Sequence, residues 1–244
     1  MKQTLFTITE NTPLTSTVYR MVLGGDTEAI TACGQFVNVK LDGLYLRRPI
    51  SVCDREDGKL TLVYKVVGKG TAQMSAMKIG EQLDVLTGLG NGYDTTPAGD
   101  NVLLLGGGVG VPPLYMLAKE LIKQGKTVSV VLGFNTASEV FYEQEFKALG
   151  ATVTVTTVDG SYGVKGFVTD AMPATYDYFF TCGPEPMLKA VYKNTQTSGQ
   201  FSFEERMGCG FGACMGCSCK TVTGYKRICK DGPVLKKEEI LWDA

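Results

Sequence analysis

The chain has 244 residues, with 24 basic and 25 acidic side chains, eight cysteines and no histidine. Without histidine there is no Ser-His or Cys-His nucleophile, no histidine general base, no histidine-ligated zinc or haem and no Rieske-type cluster. A net charge of −1 gives no electrostatic footprint for nucleic acid, no apolar run approaches the roughly 18 residues of a membrane span, and the opening MKQTLFTITENT lacks a secretory apolar core.

A cytoplasmic protein that engages neither membrane nor nucleic acid is therefore expected, with room for two domains of about 100 residues each and a short third segment. Residues 1–97 carry the segments QTLFTIT, STVYRMVL, QFVNVKL, LTLVYKVV and QLDVLTG, dense in Val, Thr, Tyr and Leu and separated by Gly, Asp and Pro. Such spacing predicts a small antiparallel β-barrel or sandwich. One short helix, TAQMSAMK, interrupts it.

Arg47-Arg48-Pro49-Ile50-Ser51 falls between two of these predicted strands. By itself an arginine pair there reads as a solvated edge. It gains meaning from Gly68-Lys69-Gly70-Thr71, which delivers Thr71 as N-cap of the short helix. A helix start with free N–H groups binds anions, and a fixed guanidinium is the preferred bidentate partner of phosphate. Together they describe a diphosphate clamp.

Over residues 98–203 apolar strands alternate with helices: Asn101–Leu105, a helix Leu114–Gln124 stopped by Gly125, Thr127–Leu132, a helix Ser138–Leu149 stopped by Gly150, Ala151–Val155, a short helix Gly166–Met172, Tyr178–Thr181 and a helix from Glu185 to about Thr195. Continuously apolar strands between glycine-terminated helices predict a parallel, doubly wound α/β sheet. The first strand runs into Gly106-Gly107-Gly108-Val109-Gly110, where small residues let a pyrophosphate approach the next helix. The fingerprint is imperfect, because its third glycine is Val111 and strand Thr127–Leu132 has no terminal acid; a tight packing turn is the other reading. A second strand-to-helix turn is Thr181-Cys182-Gly183-Pro184. No Arg or Lys lies between Leu132 and Lys147, which favours NAD over NADP.

Residues 204–244 hold five of the eight cysteines. In a reducing compartment such clustering points to metal or catalysis rather than disulfides. Cys209, Cys214, Cys217 and Cys229 spell C-x4-C-x2-C-x11-C, the plant-type ligand arrangement of a [2Fe-2S] cluster. Glycines 208, 210, 212 and 216 let the backbone curl round the core and aim N–H groups at its sulfurs. A four-cysteine zinc site is the alternative, although it usually shows two C-x2-C knuckles and here there is one. Cys219 reads as a packed strand residue, Cys33 and Cys53 as core or strand positions.

Taken together, these stretches resemble the ferredoxin reductase superfamily, whose flavin domain carries an Arg-x-Tyr-Ser motif and a later Gly-x-x-Ser/Thr turn, and whose nicotinamide domain carries a Cys-Gly-Pro turn. Arg48, Ile50 and Ser51 occupy the first motif, with Ile50 in place of the tyrosine. The resemblance implies that the run Arg48, Pro49, Ile50 and Ser51 binds FAD, with Arg48 on the diphosphate and Ser51 near flavin N5. It places Val63, Tyr64 and Lys65 along the ribose and adenine, and Gly70 with Thr71 on the diphosphate. Gly106, Gly107, Gly108 and Gly110, with Gly183 and Pro184, would hold NAD, and Cys182 would face the nicotinamide.

The order of flavin domain, nicotinamide domain and [2Fe-2S] segment further resembles the electron-transfer subunits of heteromeric, NAD-dependent (class 1B) dihydroorotate dehydrogenases. That implies an FMN-containing catalytic partner subunit, a heterotetramer with two copies of each chain, and a cluster segment at the interface between them. Electrons from dihydroorotate would pass to the cluster, to FAD and to NAD, with FAD converting between one- and two-electron chemistry. Two rivals remain at this level: an NAD(P)H-ferredoxin or hydrogenase-linked reductase subunit with the same cofactors, and a zinc-stabilised binding module with structural glycine turns.

Overall fold

The computed structural model describes residues 1–242; residues 243 and 244, the end of the expected cluster segment, lie outside the described residues. The first element group is a closed barrel of six antiparallel strands: β1 (Lys2–Pro13), β2 (Val18–Gly24), β3 (Phe36–Val39), β4 (Arg48–Glu56), β5 (Lys59–Lys65) and, after helix α1 (Lys69–Ala76), β6 (Gln82–Leu89), in the order β1-β2-β5-β4-β3-β6. Closure removes edge strands. Alternating residues fill the interior, among them Phe6, Ile8, Met21, Leu23, Val37, Val39, Val52, Leu60 and Leu62, all fully buried. Each such side chain contributes about 1.5–3 kcal/mol by leaving water.

Two local expectations are corrected here. Arg48–Ser51 does not lie between strands but opens β4. The proline and the charged tail Asp54-Arg55-Glu56 disguise the strand, yet Pro49 is tolerated at a strand start, where one missing N–H costs little. Thr71 is not the N-cap of α1. That position is Gly68, and Thr71 lies three residues in, where its Oγ1 accepts from the N–H groups of Val67 and Gly68 at 2.9 and 3.3 Å.

The second group is a sheet in the order β10-β9-β8-β7-β11-β12-β15. Its strands are β7 (Asn101–Gly107), β8 (Thr127–Phe134), β9 (Thr152–Thr157), β10 (Val164–Lys165), β11 (Tyr178–Cys182) and β12 (Gly199–Ser202), all parallel, with helices α2 (Pro113–Lys123), α3 (Glu143–Ala148) and α4 (Glu185–Asn194) between them. The chain steps outward from β7 to β10, then returns to β11 on the other side of β7. Strand order reverses between β7 and β11, the point where open α/β sheets bind ligands. The helix expected over Ser138–Leu149 is broken: a single 3-10 turn at Ala137–Glu139 is followed by extended Val140 and left-handed Tyr142 (φ 67°), and only then by α3. Burial of both Phe141 and Tyr142 in the core demands that break.

Hairpin β13 (Ser218–Thr221) and β14 (Gly224–Arg227) follows the cysteine loop, and Cys219 stands half-buried on β13. The last strand, β15 (Val234–Lys236), then pairs antiparallel with β12. The C-terminal segment is thereby stitched into the second sheet.

Barrel and sheet share one apolar core. A bulge in β4 between Val52 and Asp54 leaves Cys53 outside the ladder and turns it outward. Its thiol donates to the Tyr142 hydroxyl at 3.3 Å, while Asp54 pairs with Lys119 of α2 at 2.7 Å. Tyr93, from the connection between barrel and sheet, packs edge-on against Phe180 at 5.5 Å and donates to the Thr181 carbonyl at 3.2 Å. Cys33 is also buried in this core, and burial pushes the Cys33 and Cys53 thiols up to about 12. Phe180 is fully buried, so Phe180→Ala is expected to cost about 3–5 kcal/mol, measured as a lowered urea midpoint.

Candidate functional site

The arginine pair of the first motif divides its work. Arg47 is structural: its guanidinium donates to the carbonyls of Asn38 and Asp84 at 3.3 and 3.0 Å and pairs with the Asp84 carboxylate at 2.9 Å. Arg48 leans the other way, onto the start of α1. A Cβ built on Gly70 would lie 2.4 Å from Arg48 Nε, so the Arg48 side chain packs against the backbone of the helix start. No acid sits in the first turn of α1, and the Gly68–Thr71 turn presents N–H groups beside that cation. This cradle is complementary to a diphosphate. Thr71 is 8% exposed and its hydroxyl is consumed in shaping the turn, so backbone N–H groups and not that hydroxyl are what the turn offers a ligand.

Along β4, Ile50 packs partly against the barrel core, whereas Ser51 lies on the outward face that Cys53 also takes. Among the described residues the Ser51 hydroxyl has no hydrogen-bond partner and can serve a ligand. Val63 and Tyr64, at the end of β5, are both buried, Val63 in the core shared with the sheet and Tyr64 inside the barrel, where its hydroxyl donates to Asn11 at 3.1 Å. Only the main chain of this stretch and the half-exposed Lys65 remain for a nucleotide.

The two turns after β7 and β11 interlock. A Cβ on Gly110 would meet the Cys182 carbonyl oxygen at 2.3 Å, one on Gly107 the Met187 sulfur at 2.4 Å and one on Gly106 the Val111 side chain at 3.0 Å. Those three glycines exist for close packing. Gly108 differs: its φ is +51° and the space where its side chain would stand is open, so backbone N–H groups there are accessible. β5 runs against this same Gly108–Gly110 turn, which brings the barrel's ligand edge to the sheet's switch point. Gly183 also borders a cleft of about 190 Å³ that Cys219, Lys220 and Trp242 help to line.

Cys182 ends β11 half-buried, packed against the core shared by barrel and sheet. Burial pushes its thiol up to about 12, against a smaller opposing effect of the Ser202 hydroxyl. The proton is retained throughout the neutral range, so Cys182 carries a neutral thiol and is not a thiolate nucleophile. Sequence reasoning missed one acid nearby. Glu139 folds back to the end of β8, where its carboxylate accepts from the N–H and side-chain amide of Asn135 at 3.1 and 2.9 Å. The strand end lacks an acid in sequence, and the following turn supplies one in space.

The four cysteines of the C-terminal motif stand as two pairs. Ala213 and Cys214 donate backbone N–H groups to Cys209 Sγ at 3.2 and 3.4 Å, and the thiols of Cys209 and Cys214 are neighbours. Cys229 donates its N–H to Cys217 Sγ at 3.4 Å, and both residues are buried. Partial burial opposes ionisation of Cys209, but the N–H groups of Phe211, Cys214 and Ala213 and the Cys214 thiol outweigh it and hold its pKa down to about 6. Among the described residues no three potential ligands gather on a single point. A mononuclear zinc site needs all four sulfurs around one ion, whereas two pairs suit a centre with two irons, each taking two thiolates. Gly210 and Gly212 (φ +79° and +91°) and Met215 (φ 61°) supply the left-handed turns that wrap the loop.

A six-stranded barrel with an anion cradle, joined to a parallel sheet with interlocked turns at its switch point, defines a ferredoxin-reductase-like oxidoreductase fold with an added iron-sulfur segment. The comparisons agree. The family described as the iron-sulfur cluster binding domain of dihydroorotate dehydrogenase B matches residues 204–241, and the oxidoreductase NAD-binding domain matches residues 104–193. Relatives named dihydroorotate dehydrogenase B (NAD(+)), electron transfer subunit, include those of Geobacillus sp. (strain WCH70), 45% identical over 99% of both chains, and Bacillus pumilus, 44% identical over 98% of both. Among solved structures, a chain of an NADH-dependent reduced ferredoxin-NADP oxidoreductase, described for flavin-based electron bifurcation, superposes with a TM-score of 0.89 at 32% identity, covering 97% of this chain and 90% of that one. A ferredoxin NADP+ reductase from Neisseria gonorrhoeae, at 18% identity and TM-score 0.68, shares the fold over 80% of this chain and 90% of its own. The chain belongs to the family of electron transfer subunits of dihydroorotate dehydrogenase B (NAD(+)).

Two outcomes test the site. Gly110→Ala should force the two turns apart and raise the NADH dissociation constant at least about tenfold, equivalent to about 1.4 kcal/mol, with FAD content unchanged, as read by fluorescence titration. Because the Cys182 thiol stays protonated until pH approaches about 12, stopped-flow reduction of the flavin by NADH should show no step from its ionisation between about pH 7 and pH 9.5, where an unperturbed cysteine of pKa about 8.5 titrates.

Proposed function

We propose that this chain relays electrons from a dihydroorotate-oxidising catalytic subunit to NAD through a [2Fe-2S] cluster and FAD. Family membership implies a catalytic partner subunit. We further assign that partner as FMN-bearing, the assembly as a heterotetramer with two copies of each chain, and the location as cytoplasmic. Among the described residues no helix is long and apolar enough to cross a membrane. Residues 1–97 would form the FAD unit, 98–203 the NAD unit and 204–244 the cluster segment. The observation that carries the reading is that the barrel, the two glycine turns and the cysteine loop adjoin: β5 lies against Gly108–Gly110, Gly110 lies against Cys182, and the barrel strand β3 touches the cysteine loop through Asn38.

When bound, FAD exchanges a hydride with the nicotinamide and single electrons with the cluster. The chain's own residues hold and orient. Arg48 and the N–H groups around Gly70 neutralise the diphosphate, the outward face of β4 at Pro49–Ser51 supports the ring, and Ser51 offers its hydroxyl near N5. The open backbone at Gly108 takes the NAD pyrophosphate, and Gly183 and Pro184 shape the nicotinamide end with Cys182 as a neutral contact. Glu139 disfavours a 2'-phosphate by like charge, which supports NAD over NADP. Cys209, Cys214, Cys217 and Cys229 would ligate the irons. Because the cluster delivers electrons without protons, each hydride passed to NAD would need one proton taken up from solvent, and the chain has no histidine to relay it.

Purification with the native partner followed by visible and EPR spectroscopy is the direct test. Flavin bands, a reduced [2Fe-2S] signal and NAD-dependent dihydroorotate oxidation only in the two-subunit complex are expected; a colourless chain, or full oxidation of dihydroorotate by this chain alone, would refute the assignment. Within it, Arg48→Ala should lower FAD occupancy, and Cys214→Ser should abolish the cluster's EPR signal while FAD stays bound.

A further inference from the structure

Several buried polar side chains lie outside the candidate ligand turns, and one of them reaches the cysteine loop. Asn38 is 1% exposed in β3, directly opposite Pro49 of the flavin strand β4. Residues alternate along β3, so Val37 and Val39 fill the barrel while Phe36 and Asn38 face outward, Phe36 into the core that also packs the C-terminal segment. From this position Asn38 Nδ2 donates to the carbonyl of Cys209 at 3.2 Å. A Cβ on Gly210 would stand 2.1 Å from Nδ2, so the loop backbone is pressed onto the amide. Behind it, the Asn38 carbonyl accepts from Arg47, which is itself paired with Asp84. A line of contacts runs from Asp84 through Arg47 and Asn38 to Cys209, one residue away from the phosphate-facing Arg48.

Asn38 Oδ1, in contrast, has no donor among the described residues. A buried acceptor without a donor destabilises the fold, and leucine, of similar size, would remove that cost. Asparagine is therefore a poor choice as filler. What it contributes is its donor end, and that end points at a cysteine of the cluster motif.

Resting on the reading of Cys209 as a cluster ligand, we propose that Asn38 is a positioning residue: it holds the Cys209–Gly210 peptide so that the following N–H groups face the Cys209 sulfur, and so sets the cluster's reduction potential while fixing the loop against the flavin strand. The N–H groups of Ala213 and Cys214 lie 3.2 and 3.4 Å from that sulfur. Donors to a ligating sulfur favour the reduced, more negative cluster and raise its potential. If the peptide is released and those donors turn away, the potential falls.

The test uses the chain in complex with its partner, comparing wild type with Asn38→Leu and, as a conservative variant that keeps a shorter donor, Asn38→Ser. Iron, sulfide and FAD contents, thermal midpoint and a potentiometric EPR titration are measured on each. For Asn38→Leu we expect wild-type iron and FAD, a thermal midpoint equal to or above wild type, altered g-values and a cluster potential displaced to more negative values, with Asn38→Ser falling between. Unchanged potential and g-values in Asn38→Leu, with or without a lower thermal midpoint, would overturn the proposal. Should Asn38→Leu fail to assemble, Asn38→Ala, too small to clash, is held to the same criterion. A wild-type complex lacking a reduced [2Fe-2S] signal would instead remove the reading of the cysteine site on which the proposal rests.

Discussion

The outward bulge of β4 at Cys53 is the contact that the rest of the molecule depends on. A regular strand would send Cys53 and Asp54 to opposite faces; the bulge sends both toward the second sheet, one to Tyr142 and the other to Lys119. The same strand carries Arg48 and Ser51 at its start, and Lys119 belongs to the helix that begins just after the glycine turn of β7. One stiff strand and one stiff helix, locked where they cross, set the separation between the Arg48–Gly70 cradle and the Gly106–Gly110 turn. Buried side chains from both units, Val18, Cys33, Val63 and Tyr93 with Leu114, Leu117 and Phe180, make that junction a core and not a hinge surface.

The cysteine segment is too short to bury a core of its own, and it borrows one. β15 adds to β12, Asn91 donates to the carbonyls of Asp231 and Val234, and Lys237 reaches the Thr195 hydroxyl at 3.0 Å past the end of α4. Trp242 packs edge-on against Tyr192 and Phe201. These attachments leave one side of the loop uncovered, with Cys214 exposed beside Phe211 and Met215 while Cys217 and Cys229 are buried. The loop therefore has a wet side and a dry side. The barrel meets it at Asn38, through Cys209 and buried Gly210.

Electrostatics follow the same economy. The thiols outside the cluster motif at positions 33, 53 and 182 are all held protonated by burial, while the cysteine at 209 is surrounded by N–H donors that favour its thiolate. Fixed N–H dipoles thus set Cys209 apart from the buried thiols, whereas burial raises Cys229 of the motif to about 12 as well. A relay of electrons needs rigid spacing and fixed dipoles more than acid-base groups, and the fold supplies both without histidine.

How much of this was legible in the amino-acid sequence depends on the range of the interaction. The period-two strands of the barrel, the apolar strands of the sheet, the helix stops at Gly125 and Gly150 and the spacing of the four cysteines are local patterns, because backbone sterics and thiolate geometry act over a few residues. Local pattern failed where distant packing prevailed: Pro49 and three charged residues hid β4, burial of Phe141 and Tyr142 broke a helix, and Thr71 turned its hydroxyl inward. By itself the sequence determined the class of each unit and the chemistry of its motifs. Only the tertiary structure decided which motifs meet, that Arg47 braces the barrel while Arg48 leans onto the start of α1, that Glu139 restores an acid to the end of β8, and that Asn38 reaches Cys209, since each depends on residues far apart in the chain being brought together by a shared core.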